Sequence, residues 1–146
     1  MSVMLAFSLA LSSLGYKQVV LSSGATESQY AFYAADSALE CALYYDQRFN
    51  LFAFPASDPG TVPAMTCGGL SPVSATESWF PSYWVVTGRF VLDSTHCADV
   101  TVYKYSAPQP PNNTTTYIFS QGYDVSCTAV GATGARYVSR GMGIHY

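Results

Sequence analysis

The N-terminal third of the chain has the composition of a single long helix, and this feature limits the possible folds more than any other. Residues 1–16 carry no charge, and apart from Lys17 the apolar and small-residue character continues to Ala25. The stretch from Glu27 to Asn50 contains neither Pro nor Gly and is rich in Ala and Leu, which favour the α-helix. We therefore predict an unbroken helix from Ser2 to Asn50, which at about 1.5 Å per residue is roughly 70 Å long.

The two halves of this predicted helix differ in character. A membrane span needs about 20 apolar residues, so residues 1–25 are predicted to cross a membrane, with Lys17 either at the interface or paired with an acidic group on a neighbouring helix. A cleaved secretory signal is the alternative, although no basic residue precedes the apolar stretch. In residues 26–50 a helical wheel collects apolar side chains on one face, which we expect to pack against a head domain. That face consists of Ala31, Phe32, Ala35, Ala38, Leu39, Ala42, Leu43 and Phe49.

The remainder, residues 51–146, is predicted to form a β-rich head. Pro55 and the PASDPG turn should end the helix. An irregular stretch follows as far as Pro81. Four segments with strand character come next, namely Tyr83 to Leu92, Asp99 to Tyr105, Thr115 to Cys127 and Arg136 to Ile144. The predicted fold class is therefore α+β, with one long N-terminal helix packed on a small antiparallel sheet of four strands.

The four cysteines lie about 26 to 30 positions apart, without a C-x-x-C pair or a histidine at metal-ligand spacing. This pattern favours disulfides and an oxidising compartment; four buried free thiols are the alternative. Folding the second predicted strand back on the third brings Cys97 towards Cys127, and Cys41 then pairs with Cys67 by elimination. Four cysteines nevertheless allow three pairings, and the sequence alone does not choose among them.

Composition argues against several classes of function. Charged residues make up only 10% of the chain and the net charge is -3, with the six Lys and Arg scattered along the sequence. No basic patch is therefore available to neutralise a run of phosphates, and nucleic acid is not a predicted partner. The low charge and the 12 tyrosines suit an extracytoplasmic β-rich protein.

Candidate chemical groups are few. Asp93, Ser94, Thr95, His96 and Asp99 place acid, hydroxyl and imidazole groups close together in the sequence. No framing motif accompanies them, and a turn between strands is expected to be polar, so we predict no catalytic residue, no cofactor and no metal site. Asp93 and Asp99 as calcium ligands are the less favoured alternative.

Two further features have more than one interpretation. Asn113 fits the glycosylation pattern N-x-[ST], but a plain turn is the preferred interpretation. Trp79, Phe80, Tyr83 and Trp84 are predicted to belong to the core, because Trp and Phe are usually buried; an exposed sugar-stacking surface is the alternative.

Two segments resemble a known family. The run QYAFYAADSALECALYYD, Gln29 to Asp46, is similar to the extramembrane part of the N-terminal helix in type IV minor pilins and pseudopilins of the PilX-like group. The closing segments FSQGYDVSC and ARYVSRGMGIHY are loosely similar to the last strands of such heads. The middle of the chain carries no motif of the family.

The resemblance implies a structural subunit of a type IV pilus or a related secretion or DNA-uptake filament, rather than an enzyme. Such a subunit would sit in the bacterial cell membrane with its head outside, or in a filament at the cell surface. Its implied partners are other pilin subunits, the inner-membrane assembly platform, the prepilin peptidase and, before assembly, membrane lipid. Assembly would proceed through the N-terminal half-helix, specifically through Met4, Leu5, Phe7, Leu9, Leu11, Leu14 and Lys17. The lack of a Glu near the start of the helix favours a minor over a major subunit.

Two other classes remain as alternatives. One is a membrane-anchored extracellular adhesin or carbohydrate-binding module that does not polymerise, which exposed aromatic side chains around Trp79 to Trp84 would favour. The other is a secreted hydrolase released by cleavage near Ala25.

Overall fold

A computed structural model describes residues 2–93, 95–110 and 114–146, with the backbone alone for 2–13 and 114. Its elements are one helix and five strands. They are α1 (Ser2–Phe49), β1 (Ser74–Trp79), β2 (Tyr83–Val91), β3 (Cys97–Gln109), β4 (Thr114–Tyr123) and β5 (Ser139–His145). The α+β fold predicted from the sequence, a long N-terminal helix on an antiparallel sheet, is confirmed.

The five strands form one sheet in sequence order, each antiparallel to its neighbour. Cross-strand pairing aligns Val86 with Val102, Val102 with Ile118, and Ile118 with Ile144. Directly opposed residues point to the same face of a sheet, so this apolar row lies on the side that α1 covers. The core is therefore the layer between α1 and the sheet, and it is completed by Phe52 and Met65 from the connecting loop.

The predicted count of four strands was wrong, because β1 lies inside the stretch that we expected to be irregular. Its sequence, SATESW, is largely polar and contains no β-branched aliphatic residue. Pairing with β2 along its whole length, from Ser74 opposite Arg89 to Trp79 opposite Trp84, supplies the hydrogen bonds that make it a strand. It is an edge strand, for which a polar sequence is ordinary.

The helix approaches the sheet closely because small residues meet at the contact. Ala31, Ala35, Ala38 and Ala42 have no exposed surface. Opposite them lies Gly122 of β4, where an added Cβ would lie only 2.9 Å from the carbonyl carbon of Ala34 and closer still to Ala31 and Ala35 backbone atoms. Strand and helix backbones are therefore almost in contact, which only glycine on the strand permits.

Part of the predicted packing face is confirmed and part is wrong. Leu39 is buried and Leu43 is partly buried against the core, as expected. Phe32 remains 44% exposed; its direction on the helix lies about 90° from the centre of the alanine face, and it belongs to the first turn of α1 that contacts the head. Phe49 is 59% exposed in the last turn and packs instead on the rings of Tyr44 and Tyr45.

The helix ends one residue before its predicted end, and Asn50 ends it instead of Pro55. Asn50 adopts a left-handed φ of 50°, and its N–H donates to the carbonyl of Asp46 at 2.9 Å. Asn tolerates this conformation better than most residues and commonly ends helices in this way. Pro55 lies beyond the end that Asn50 has already set.

Both predicted disulfides are present, Cys41 to Cys67 and Cys97 to Cys127. The first joins α1 to the loop before β1. The second joins the start of β3 to the turns after β4, because β4 ends at Tyr123 rather than at Cys127 as predicted. Each disulfide thus connects segments that the sheet hydrogen bonds alone do not hold together.

The membrane span predicted for residues 1–25 is not supported. In the described part of the chain, no helix has a stretch both long and apolar enough to cross a membrane.

Candidate functional site

The N-terminal part of α1 leaves the head at Ser28. The Ser28 hydroxyl accepts a 2.7 Å hydrogen bond from Nε of Arg140 on β5, and Tyr30 stacks on His96 with ring centroids 5.0 Å apart. From Leu14 to Glu27 every residue is exposed except Gly24, which is half-buried. The helix continues to Ser2, so residues 2–27 account for about 39 Å of helix at 1.5 Å per residue.

Large apolar side chains are exposed on this projecting segment. Leu14 is 56% exposed, Val19 is 69% exposed and Leu21 is 73% exposed. Leu14 and Leu21 lie on one side of the helix, whereas Val19 lies about 160° around it from Leu21. The apolar surface therefore runs round the helix instead of forming one stripe, and a helix that is apolar on all sides is usually surrounded by other helices or core.

The predicted assembly residues map onto this segment as far as the structure describes them. Leu14 and Lys17 are both exposed there. The side chains of the other five, Met4, Leu5, Phe7, Leu9 and Leu11, lie outside the described residues. Their backbone belongs to the same continuous helix.

A buried ion pair fixes the second half of α1 to the head. The side chain of Asp46 is 1% exposed and accepts hydrogen bonds from Lys104 Nζ at 2.8 and 3.2 Å and from the Tyr146 hydroxyl at 2.6 Å. Burial, followed by the hydrogen bond to Asp46 and its charge, raises the pKa of Tyr146 well above its ordinary value. Residues from α1, β3 and the C-terminal end of the described chain thus meet at one carboxylate.

Sequence reasoning missed this group, although a signal for it was present. On a helical wheel Asp46 falls within the alanine face, four positions after Ala42. A carboxylate on a face built for burial needs a cationic or hydrogen-bonding partner.

The polar cluster before β3 forms a turn. The Asp93 carboxylate accepts hydrogen bonds from the backbone N–H groups of Thr95 and His96, both at 2.7 Å, and lies 2.7 Å from His96 Nδ1. Burial opposes its charge, but these hydrogen bonds outweigh it and hold the pKa of Asp93 well below its ordinary value. Both carboxylate oxygens of Asp93 are therefore used within the turn. Ser94 lies outside the described residues.

Asp99 is not part of that cluster. It forms a two-point ion pair with Arg89 on β2, at 2.6 and 2.8 Å, and accepts a hydrogen bond from the Tyr123 hydroxyl at 3.0 Å. The two aspartates suggested as calcium ligands are thus committed to different partners. Among the described residues, no group of three or more His, Cys, Asp and Glu side chains could hold a metal ion. Asn113 also lies outside the described residues.

The two tryptophans belong to the core, as predicted. Trp84 is 4% exposed and its Nε1 donates to Glu77 at 2.8 Å, while Trp79 is half-buried against the core and donates to the carbonyl of Pro55 at 3.3 Å. Phe80 differs, since it is 42% exposed and stacks on Tyr83 with ring centroids 4.5 Å apart.

A second group of aromatic side chains lies on the face of the sheet turned away from α1. Tyr103 lies opposite Tyr117, and Tyr117 opposite His145, so the three share one row across β3, β4 and β5. Phe119, in the neighbouring row, is 49% exposed. Tyr103 and Tyr105 are two positions apart in one strand, and so are Tyr117 and Phe119 in the next. This spacing places each pair on one face of its strand and is the sequence signal that could have predicted this surface.

Comparison of the chain with known protein families, curated proteins and solved structures finds no match. Two surfaces of the fold are candidates for function, the projecting half of α1 and the outer face of the sheet.

Proposed function

We propose that this chain is a structural subunit of a type IV pilin-like filament, a minor pilin or pseudopilin that assembles through its N-terminal helix. The observation that carries this proposal is the apolar surface of residues 14–21, which is exposed on more than one side of the helix. A single partner on one side would leave Val19 or Leu21 in water. Several helices packed around the segment would cover both.

The resemblance to PilX-like subunits supports the proposal, because it falls where the architecture of such a subunit requires it. Gln29 to Asp46 is the part of α1 that packs on the head. It begins directly C-terminal to Ser28, and the helix N-terminal to Ser28 projects away from the head. The two disulfides agree with a head that works outside the cytoplasm, since disulfides persist in oxidising compartments.

Burial of the exposed apolar side chains on the projecting helix would contribute a substantial free energy to assembly. Fully burying a Leu or Val side chain contributes about 1.5 to 3 kcal/mol, so covering the exposed part of four such side chains contributes on the order of 5 kcal/mol per copy. Those four are Leu14, Val19, Val20 and Leu21, each 52 to 73% exposed. The segment is already helical, so little backbone entropy is lost when it packs.

The test is to place a charge on each side of the projecting helix in turn. Val19→Asp and Leu21→Asp are produced in the cells that make the protein, beside Val73→Asp as the matched control. Val73 is 59% exposed on the head, close to the 69% of Val19. Filaments are sheared from the cells, sedimented and probed for the chain, and electron microscopy checks that the pellet is filamentous.

We expect both helix variants to disappear from the filament fraction while Val73→Asp stays in it, because a bundle buries both sides of the helix. Loss in only one helix variant would indicate a one-sided contact and would contradict a bundled filament core. Recovery of both helix variants at the unmodified level would refute assembly through this segment.

A further inference from the structure

The outer face of the sheet is a second surface that the proposed assembly does not use. It consists of rows of residues that lie opposite one another on β2 to β5. Along the strands these rows change from polar residues at one end of the sheet to aromatic residues at the other. One row contains Arg89, Asp99, Gln121 and Gly141, and the next contains Thr87, Thr101, Phe119 and Gly143. The third contains Val85, Tyr103, Tyr117 and His145, and Tyr83 and Tyr105 pair beyond it.

The aromatic end forms an open depression of about 530 Å³ lined by Thr101, Tyr103, Tyr105, Tyr117 and Phe119. The rings of Tyr117 and Phe119 are parallel to within 5°, with centroids 6.5 Å apart. Tyr103 packs edge-on to Phe119, and Tyr105 edge-on to Tyr117. The rings therefore support one another, so little side-chain entropy remains to be lost when a ligand binds.

A depression of about 550 Å³ adjoins it at the polar end, where its lining includes Thr87, Asp99, Gln121 and two glycines of β5. Gly141 and Gly143 lie in the interior of a strand, where glycine weakens the sheet and often marks the close approach of a ligand or another backbone. At Gly143 an added Cβ would lie 3.0 Å from the Phe119 ring, so a larger residue there would displace the ring. At Gly141 the nearest atom would be 3.9 Å away, so the space above this residue is open.

Charge identifies the kind of ligand that fits. Among the described residues of this face on β2 to β5, the charged groups are Arg89 and Asp99, and they neutralise each other in a two-point pair. A phosphate-bearing or strongly charged partner would find no net charge of opposite sign. The Thr87 and Thr101 hydroxyls contact each other at 3.5 Å and the Gln121 amide donates to Ser139 at 3.2 Å, which uses only part of their hydrogen-bonding capacity. A purely apolar partner would bury the remaining donors and acceptors of these groups unpaired, which is costly.

We infer that the outer face of the sheet is a binding surface for a neutral saccharide chain. The rings of Tyr103, Tyr117 and Phe119 would cover the apolar faces of sugar rings, while the threonines and Gln121 would hydrogen-bond to sugar hydroxyls. The size of each depression is within the range of small-ligand sites, and their open, adjoining arrangement suits several units of a chain better than one enclosed sugar.

The test is affinity electrophoresis of the full, oxidised chain in native gels that contain a neutral polysaccharide. The probes are a β-glucan, a mannan and a xylan, with polygalacturonate as the acidic comparison. Two variants remove the surface in different ways: Tyr117→Ala deletes a ring, and Gly141→Val fills the open space where its Cβ has no close neighbour. Tyr44→Ala, at a tyrosine 56% exposed on α1, is the matched control. Urea-unfolding midpoints establish that each variant is folded.

We expect at least one neutral polysaccharide to retard the unmodified chain and the Tyr44→Ala variant, and polygalacturonate to have no such effect. Tyr117→Ala and Gly141→Val should each weaken the retardation by roughly tenfold, whereas Tyr117→Phe should preserve it, because stacking needs the ring and not the hydroxyl. Failure of all three neutral polysaccharides to retard the chain would overturn the inference. Equal retardation of the chain and its Gly141→Val variant would also overturn it, as would a change in oligomeric state as the only effect of that variant.

Discussion

Replacing Gly122 by alanine should separate the helix from the sheet, and the structure indicates how far. The added Cβ would lie 2.9 Å from the Ala34 carbonyl carbon and even closer to the Ala31 carbonyl oxygen and the Ala35 nitrogen. A carbon and an oxygen approach without repulsion to about 3.3 Å, so the backbones must move apart by about 1 Å. None of the obstructing atoms belongs to a flexible side chain, so the strain cannot be relieved by a rotamer change.

A gap of about 1 Å forfeits a quarter to a half of the dispersion energy of each contact across it, and this interface contains the four fully buried alanines of α1. Overpacking of a close-packed site costs about 1 to 3 kcal/mol, and we expect Gly122→Ala to lie near 3 kcal/mol. The assay is urea unfolding of the oxidised chain, followed by the fluorescence of the buried Trp84.

Gly141→Ala is the matched control, because it adds the same methyl group to the next strand, where the nearest atom would be 3.9 Å away. Its free energy of unfolding should remain unchanged or rise by up to about 1 kcal/mol, since alanine suits a strand better than glycine. Equal unfolding midpoints for Gly122→Ala and the unmodified chain would refute the close approach of α1 and β4.

Three further predictions concern stability. Asp46→Asn should lower the free energy of unfolding by about 3 kcal/mol, measured by urea unfolding, because it leaves the Lys104 charge without its buried partner; a loss below about 1 kcal/mol would contradict this. Replacing Cys41 and Cys67 together by serine should cost about 2 to 4 kcal/mol in the same assay, and an unchanged midpoint would argue against the bond. Burial and the nearby Asp99 carboxylate raise the pKa of Tyr123 to about 12 from 10.0, so the unfolded chain loses this proton first. The raised pKa of Tyr123 should contribute fully to the free energy of unfolding below pH 10, and this contribution should be lost as the pH rises to about 12. In urea unfolding at a series of pH values, a Tyr123→Phe variant should lack this decrease.

The helix was predictable because its determinants are local, and a disulfide pairing could be favoured because four cysteines allow only three pairings. Residues 27–50 contain neither Pro nor Gly and are rich in Ala and Leu, and folding two predicted strands together brought Cys97 towards Cys127. The strand β1 was not predictable in this way, because the polar run SATESW becomes a strand only through its pairing with β2.

The two proposed surfaces were predictable to different degrees for the same reason. Leu14 and Lys17 follow from the apolar character of the N-terminal segment. The aromatic outer face depends on register across β3, β4 and β5, which places Tyr103, Tyr117 and His145 in one row. Register is a property of paired strands, so no single segment of the sequence contains it.

Site-specific photo-crosslinking at Tyr16 tests the proposal that the projecting half of α1 packs among the helices of other subunits. This residue is 72% exposed, and a photoreactive phenylalanine derivative replaces it with little change in shape. After irradiation of the cells that make the protein, mass spectrometry maps the linked residues. We predict links to the apolar N-terminal helix of another subunit, either a second copy of this chain or a subunit with the same kind of helix. Links confined to the same chain's own head, or a complete lack of links to another subunit, would rule out this packing.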